Sequence, residues 1–425
     1  MTVSPGAAGP RDASPAEWNA ARHSALVTDD YLFSQIIPYI GNKRKLLGLI
    51  AQAIAATGEI PQQADFVDLF AGTGVVSRLA KSLGFRVLTN DWEPYSEYLN
   101  LCHIGMQSAP RFHGGRDYAD VIAELNALPA TEGWVTRHLC PDDDVHYDTA
   151  RDRMFYMRKN GMRIDAIRNQ IAQWDHAGLL DAGQKACLLA PLLYSASYNS
   201  NTSGLFKGFH HGWGGRTGTA LYRIAADLCL RPACFMDNGR DNRVLRMDAQ
   251  ALAAELRGQV ADAAIAYVDP PYNQHPYGAN YHVLNTIALW DQPELAPKIS
   301  GRNKAGIRQD WRTARRSPYN YRGQALDAYR QLLRTLDTRW IATSYSTDGF
   351  IPLTDMLRAN CERGDVQVFT RSYKRYRVSS QRQSPRPMTV EFILLTHTRR
   401  NATRTPDEIM HEITTIEASL DNPSA

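Results

Sequence analysis

The chain has 425 residues, 44% hydrophobic and 22% charged, which suits a globular protein with two domains or one domain carrying a sizeable insertion. No stretch approaches the roughly 18 uninterrupted apolar residues of a membrane span, and the six cysteines are scattered without CxxC spacing, which excludes a disulfide framework and a zinc ribbon. The net charge is only +4, but eight basic residues face one acid between Lys298 and Arg322, and six face none between Arg371 and Arg386; such one-sided runs fit a polyanion partner.

In chain order, residues 1–30 lack the basic start and apolar core of a signal peptide and read as a flexible leader, so a cytoplasmic protein is expected. QIIPYIGNKRK (35–45) is an extended segment with a glycine turn, opening into a helix through about residue 56. Residues 65–70 form a predicted strand, followed by Ala71-Gly72-Thr73-Gly74 and a helix over 75–83 that Gly84 closes. A second strand over 85–90 ends at Asp91. This βαβ unit specifies a parallel sheet. From 105 to 238 the texture changes, with helices predicted over 118–128, 150–174 and 182–194 and a polar, glycine-rich stretch, NSNTSGLFKGFHHGWGGRTG, over 199–218. Sheet periodicity returns over 243–248 and 263–268. A helix (324–336), a strand (340–345), a helix (353–360) and two strands (366–373, 389–397) follow. The last pair reads as an antiparallel hairpin at the sheet edge, and residues 401–425 read as a mobile tail.

Three places carry chemistry. In Val268-Asp269-Pro270-Pro271-Tyr272-Asn273 the prolines end a buried strand, because neither offers an N–H to a sheet. Ligands of open α/β sheets bind outside the carboxyl ends of strands, so Asp269 to Tyr272 stand where a substrate is received. In Asp68-Leu69-Phe70-Ala71-Gly72-Thr73-Gly74 the glycines allow a ligand to approach the backbone. Ser77 replaces the third glycine of a dinucleotide fingerprint, and no GK[ST] follows to make a P-loop. Asp91 can accept both hydroxyls of a ribose. Asp248 can accept an adenine amine, or cap the helix that follows. Tyr39 and Lys43 can bind the carboxylate of an amino-acid moiety, or belong to a solvated helix start. A ribose, a purine amine and an amino-acid tail together describe S-adenosylmethionine.

YIGNKRKLL, DLFAGTG, the strand ending in Asp91, Asp248 and DPPY occur in the order seen in α-class, Dam-like N6-adenine DNA methyltransferases, which the chain resembles over most of 35–100 and 243–397. The resemblance implies an α/β fold: a Rossmann-like S-adenosylmethionine-dependent methyltransferase sheet with an inserted, mainly helical target-recognition domain. The expected division is a leader (1–30), a cofactor-binding part (31–104), a DNA-binding insertion (105–238), the DPPY part with its C-terminal hairpin (239–400) and the tail (401–425). Cofactor contacts are implied for Tyr39, Lys43, Phe70 and Asp91, with Asp248 near the adenine; Asp68, Gly72, Gly74 and Asp269 complete that set. Asp269 and the Pro270 carbonyl would accept the two hydrogens of an exocyclic amine, Pro271 would hold that carbonyl rigid, and Tyr272 would stack on the extruded base. Lys207, His210, His211, Trp213 and Arg216 are candidates to read DNA, unless that loop merely packs locally. Arg315, Arg316, Lys374, Arg375 and Arg377 are candidates to grip phosphates. The paired histidines lack a third ligand, so no metal is expected. The expected activity is methyl transfer to N6 of a flipped adenine in double-stranded DNA, by a monomer paired with a restriction endonuclease of the same site. N4-cytosine methylation and a non-catalytic DNA-binding regulator are the alternatives; protein glutamine methylation fits less well, because DPPY lacks its usual asparagine start.

Overall fold

The computed structural model describes residues 29–295, 304–374 and 388–421. Seven strands, β1 (Asp65–Asp68), β2 (Arg86–Asn90), β3 (Arg243–Leu245), β4 (Ile265–Val268), β5 (Trp340–Ser346), β6 (Asp365–Lys374) and β7 (Met388–His397), form one sheet of order β3-β2-β1-β4-β5-β7-β6. The first five run parallel, and β7 enters antiparallel between β5 and β6. Side-chain alternation sorts these strands onto two cores. Phe66, Val87, Ile265 and Tyr267 pack with helices Leu47–Ala56 and Val75–Leu83 on one face. Val67, Leu88, Ala266 and Val268 pack with helices Ala249–Glu255, Arg322–Thr335 and Leu353–Arg363 on the other.

From β1 the chain crosses to β2 and then β3; from β4 it crosses the opposite way, to β5. The crevice between the ends of β1 and β4 is therefore a topological switch point, the place where such sheets bind ligands. Asp68 ends one of these strands and Asp269 follows the other.

Three boundaries differ from the sequence expectation. The helix expected from 150 begins at Arg158 and runs to His176. The residues before it are held in a turn, where Asp152 and Asp148 side chains accept the N–H groups of Asp148 and Ala150, both at 2.8 Å. The helical unit does not close within 105–238: its core also holds Tyr281, Leu284, Ile287 and Ala305 from beyond the DPPY segment. The reason lies in the helix His282–Leu289, which is buried from His282 through Ala288 and so needs cover on every side. The tail expected to be mobile instead forms a helix, Pro406–Asp421, which buries Ile409 and Ile413 against the sheet's second core. The expected leader lies almost wholly outside the described residues.

Candidate functional site

The turn after β1 is shaped by what surrounds it. Gly72 and Gly74 have φ of +52° and +74°, where a side chain is strained, and a Cβ on Gly72 would stand 2.7 Å from Tyr39 Cε1. A Cβ on Gly74 would collide with Asn100 Oδ1. Asp91 pins the turn from β2: its Oδ2 accepts the Gly72 N–H at 2.7 Å and its Oδ1 accepts the Glu93 N–H at 2.9 Å. Ser96 Oγ donates to the Gly72 carbonyl at 2.6 Å.

Below this turn lies a crevice lined from the ends of β1, β2 and β4 by residues that include Tyr39, Asp68, Phe70, Asp91 and Asp269. Asp68 lines it with one oxygen committed and one free: Ser77 Oγ donates to Oδ2 at 2.7 Å, while the buried Oδ1 has no partner among the described residues. Burial, reinforced by Asp269 nearby, pushes this carboxyl up to about 7. Phe70 and Tyr319 meet edge to face at 5.4 Å beside Met247 and Asp248, leaving an apolar slot with an acid at its rim. Asp248 lines the crevice and also caps helix Ala249–Glu255 by accepting the Gln250 N–H at 2.9 Å.

At the end of β4, Lys43 is only 4% exposed and its Nζ reaches three oxygens: Asp269 Oδ1 at 2.9 Å, the Tyr272 hydroxyl at 2.8 Å and the Gly41 carbonyl at 3.2 Å. Lys43 is thus committed to the DPPY segment rather than standing free for a ligand carboxylate. Burial raises the Asp269 carboxyl above its usual range, and Lys43 works against that rise. The Tyr272 ring packs on Tyr345 at 4.4 Å, its carbonyl accepts the Phe350 N–H at 3.0 Å, and Asn320 Nδ2 donates to the Asn273 carbonyl at 2.7 Å. The segment is therefore held from several sides, with Pro270 buried and Pro271 on the crevice wall. Tyr39 stacks against Tyr277 at 5.1 Å and Tyr281 at 4.8 Å.

Four residues that the motifs did not single out also belong here. Tyr277 and Tyr319 line the crevice, as does Glu93, whose carboxyl burial pushes up to about 7. Glu391, on β7, faces Lys43, Asp269 and Tyr272. Only Glu391 carried a legible signal, a single acid inside the apolar strand TVEFILLTH.

The expected DNA-binding residues divide. Arg315 is 11% exposed, lines the crevice, and pairs with Glu93 at 3.3 Å and Asp310 at 3.0 Å, so it is withdrawn from phosphate. Arg308 likewise makes a two-point pair with Asp291, both contacts at 2.7 Å. Arg316 stays exposed and lies over the Tyr321 ring at 4.0 Å. In the glycine-rich loop, Trp213 donates its Nε1–H to the Asp144 carbonyl at 2.8 Å and meets Tyr147 edge to face, which is local packing. His211 and Arg216 are exposed, Lys207 and His210 partly so, and Lys207 stands 3.3 Å from His275 beside the DPPY segment. Buried Asn201 fixes this loop by donating to the carbonyls of Met154 and His210, both at 3.0 Å, and accepting the Gly214 N–H at 3.0 Å. The Lys374 side chain, Arg375 and Arg377 lie outside the described residues. Among the described residues no group of three or more His, Cys, Asp or Glu could hold a metal, and no helix is long and apolar enough to cross a membrane.

The family described as D12 class N6 adenine-specific DNA methyltransferase matches residues 39–309. The chain is 31% identical over 341 residues to the type II methyltransferase M.NlaIII of Neisseria lactamica, covering 80% of this chain and 92% of that protein. It is 30% identical to the modification methylase LlaI of Lactococcus lactis subsp. lactis and 27% identical to the type II methyltransferase M.FokI of Planomicrobium okeanokoites, matching 51% and 50% of those longer proteins. No solved structure matches the chain.

Proposed function

Because the chain belongs to the D12 class of N6-adenine-specific DNA methyltransferases, we propose that the crevice between β1 and β4 holds the methyl donor and that Asp269, Pro270 and Tyr272 receive the target amine. The observation that carries this is the juxtaposition of Asp68, with its unpartnered buried Oδ1, and Asp269 across the switch point. The family implies S-adenosylmethionine, which when bound supplies an electrophilic methyl group on a sulfonium. The donor set fits such a molecule. Asp68 Oδ1 is an acceptor for an ammonium, the remaining lone pairs of Asp91 suit ribose hydroxyls, and the apolar wall made by Phe70 and Tyr319 offers a flat ring a surface in the crevice that Asp248 also lines.

An exocyclic amine conjugated to a purine is a weak nucleophile because its lone pair is delocalised. Asp269 and the Pro270 carbonyl, accepting its two N–H groups, pull the nitrogen towards tetrahedral geometry and aim the lone pair. The prolines and the clamp on Tyr272 hold those acceptors in place beforehand, which is where an electrostatic contribution to rate comes from. An amine inside a duplex cannot reach a strand-end crevice, so the adenine is flipped out. Lys207, His211 and Arg216 on the glycine-rich loop, with exposed Arg312, Arg316 and Arg322, form the surface for double-stranded DNA. The names of the relatives support a role as the modification component of a restriction-modification system, protecting sites that a cognate endonuclease cuts.

The flipping step is tested with 2-aminopurine in place of the target adenine, once sequencing of methylated DNA has given the recognition site. Binding in the presence of S-adenosylhomocysteine should raise its fluorescence several-fold. Tight binding with no rise would reject extrusion into this crevice.

A further inference from the structure

Two lysines are held in place by uncharged partners. Lys207 Nζ stands 3.3 Å from His275 Nδ1, and Lys304 Nζ meets His211 Nε2 while lying 5.5 Å from the centre of the Phe209 ring. An ammonium has only hydrogens to give, so each imidazole accepts and is neutral. Burial, with the Lys207 charge adding to it, holds the His275 ring below its usual range, in keeping with that. Among the described residues no carboxylate pairs with either lysine. Other cations of the chain are treated differently: Lys159 pairs with Asp227 at 2.5 Å, Lys185 with Asp175 at 2.6 Å and Arg308 with Asp291 at 2.7 Å. A carboxylate fixes a cation and cancels its charge. A neutral imidazole fixes it and leaves the charge for an outside anion. Burial lowers the Lys207 ammonium with no acid to offset it, an imbalance that an anion would relieve.

The first pair is built into the segment that receives the target amine. His275 lies three residues after Tyr272, its N–H donates to Asn273 Oδ1 at 3.0 Å, and the next residue, Pro276, lines the crevice. Lys207 comes from the glycine-rich loop, which is fastened at that point: the Phe206 N–H donates to the Asn280 carbonyl at 2.7 Å, and His282 Nε2 donates to the Phe206 carbonyl at 2.8 Å. His275 is exposed and Lys207 partly so, at the rim of the crevice. A flipped base turns about its own backbone, so the base enters while the phosphates on either side of it stay at the rim. Lys304 and His211 join the arginine-rich run to the same glycine-rich loop, and His211 is likewise exposed.

We infer that Lys207, set in place by His275, grips a phosphate adjoining the extruded adenosine, and that Lys304, set by His211, grips a second phosphate farther along the same duplex. The inference rests on the reading of the crevice as the place that receives the flipped base. It assigns to His275 and His211 the part of positioning residues, which aim an ammonium without neutralising it.

The test is binding, in the presence of S-adenosylhomocysteine, to duplexes in which one phosphate at a time is an uncharged methylphosphonate, for wild type, Lys207→Gln, Lys304→Gln, His275→Asn and His275→Asp. Wild type should lose about tenfold in affinity when a phosphate adjoining the target adenosine is replaced. Lys207→Gln should bind unmodified DNA more weakly, become indifferent to that replacement, and show a slope of log affinity against log salt smaller by about 0.9. Lys304→Gln should do the same at a different phosphate. His275→Asn offers Lys207 a neutral acceptor and should stay close to wild type, whereas His275→Asp sets a carboxylate beside it and should behave like Lys207→Gln. All four variants should keep S-adenosylhomocysteine affinity within about twofold of wild type, as folded proteins altered only at the rim. Wild-type sensitivity to the methylphosphonate in Lys207→Gln, or equal losses in His275→Asn and His275→Asp, would overturn the role of this pair, and an unchanged scan in Lys304→Gln would overturn the second grip. The underlying reading fails separately: wild type that binds tightly without raising 2-aminopurine fluorescence at the target position rejects extrusion into the crevice, whatever the phosphate scan gives.

Discussion

The DPPY segment and the arginine-rich segment that follows it behave in opposite ways. In the first, each residue type has one use: the prolines end β4, Asp269 turns into the crevice, and Tyr272 is clamped by Lys43, Tyr345 and Phe350. In the second, identical arginines meet different fates within a few residues. Arg315 is sealed into the crevice by Glu93 and Asp310, Arg308 is spent on Asp291, and Arg316 remains on the surface over Tyr321. A residue chosen for its backbone geometry announces its place, whereas a charge takes its role from whichever partner the fold brings to it.

The strongest challenge to the geometric half is Gly74→Ala. Its left-handed φ of +74° and the encroaching Asn100 leave no room for a methyl group, so the variant should lose measurable S-adenosylhomocysteine binding by calorimetry and about 1–3 kcal/mol of stability. The charge half is sharpened by two neighbouring substitutions. Arg315→Ala takes the cation away from buried Glu93, which keeps only the hydrogen bond from Asn285 Nδ2 at 2.6 Å, a loss of about 1–3 kcal/mol, and should weaken S-adenosylhomocysteine by about tenfold or more while the salt dependence of DNA binding stays unchanged. Arg316→Ala should do the reverse, keeping cofactor affinity and reducing the slope of log affinity against log salt by about 0.9 if it contacts one phosphate.

A smaller effect follows from Asp68. Its folded carboxyl is raised to about 7, so in the free protein it holds a proton below that pH and must release it to receive an ammonium. S-adenosylmethionine affinity should therefore rise by about tenfold between pH 6 and pH 8, and Asp68→Asn should bind weakly with no such rise. The same sign governs stability. Between roughly pH 4.5 and 7, folded Asp68, Glu93 and Glu391 keep protons that the unfolded chain has already released, so the free protein should lose stability as pH rises through that window, seen as a falling melting temperature. The smallest effect belongs to Trp213→Phe, which should cost about 0.5–1.5 kcal/mol for the lost hydrogen bond to Asp144 and leave the recognition sequence unaltered.

The same contrast explains how much was legible in the sequence. The strands ending at Asp68, Asn90 and Val268 were visible because short apolar runs stop at glycine, proline or acid, and their order placed the crevice. Helix Pro406–Asp421 was missed because its apolar contacts, Ile409 and Ile413, are spaced within a polar sequence and need the sheet's second core to give them meaning. The extent of the helical unit was missed because His282–Leu289 joins it from the far side of DPPY. The sequence placed Lys43 beside a ligand carboxylate, and only the fold shows its ammonium between Asp269 and Tyr272. Asp248 posed no such choice, since one carboxylate both caps a helix and faces the crevice.

The most direct measurement is to express wild type and Asp269→Ala in a host lacking DNA methylases, hydrolyse the genomic DNA and quantify modified bases by mass spectrometry. Wild type should yield N6-methyladenine without N4-methylcytosine, and Asp269→Ala, soluble and still binding S-adenosylhomocysteine, should yield neither. N6-methyladenine undiminished in Asp269→Ala, or N4-methylcytosine in place of it from wild type, would contradict the assignment of the β4 crevice to an adenine amine.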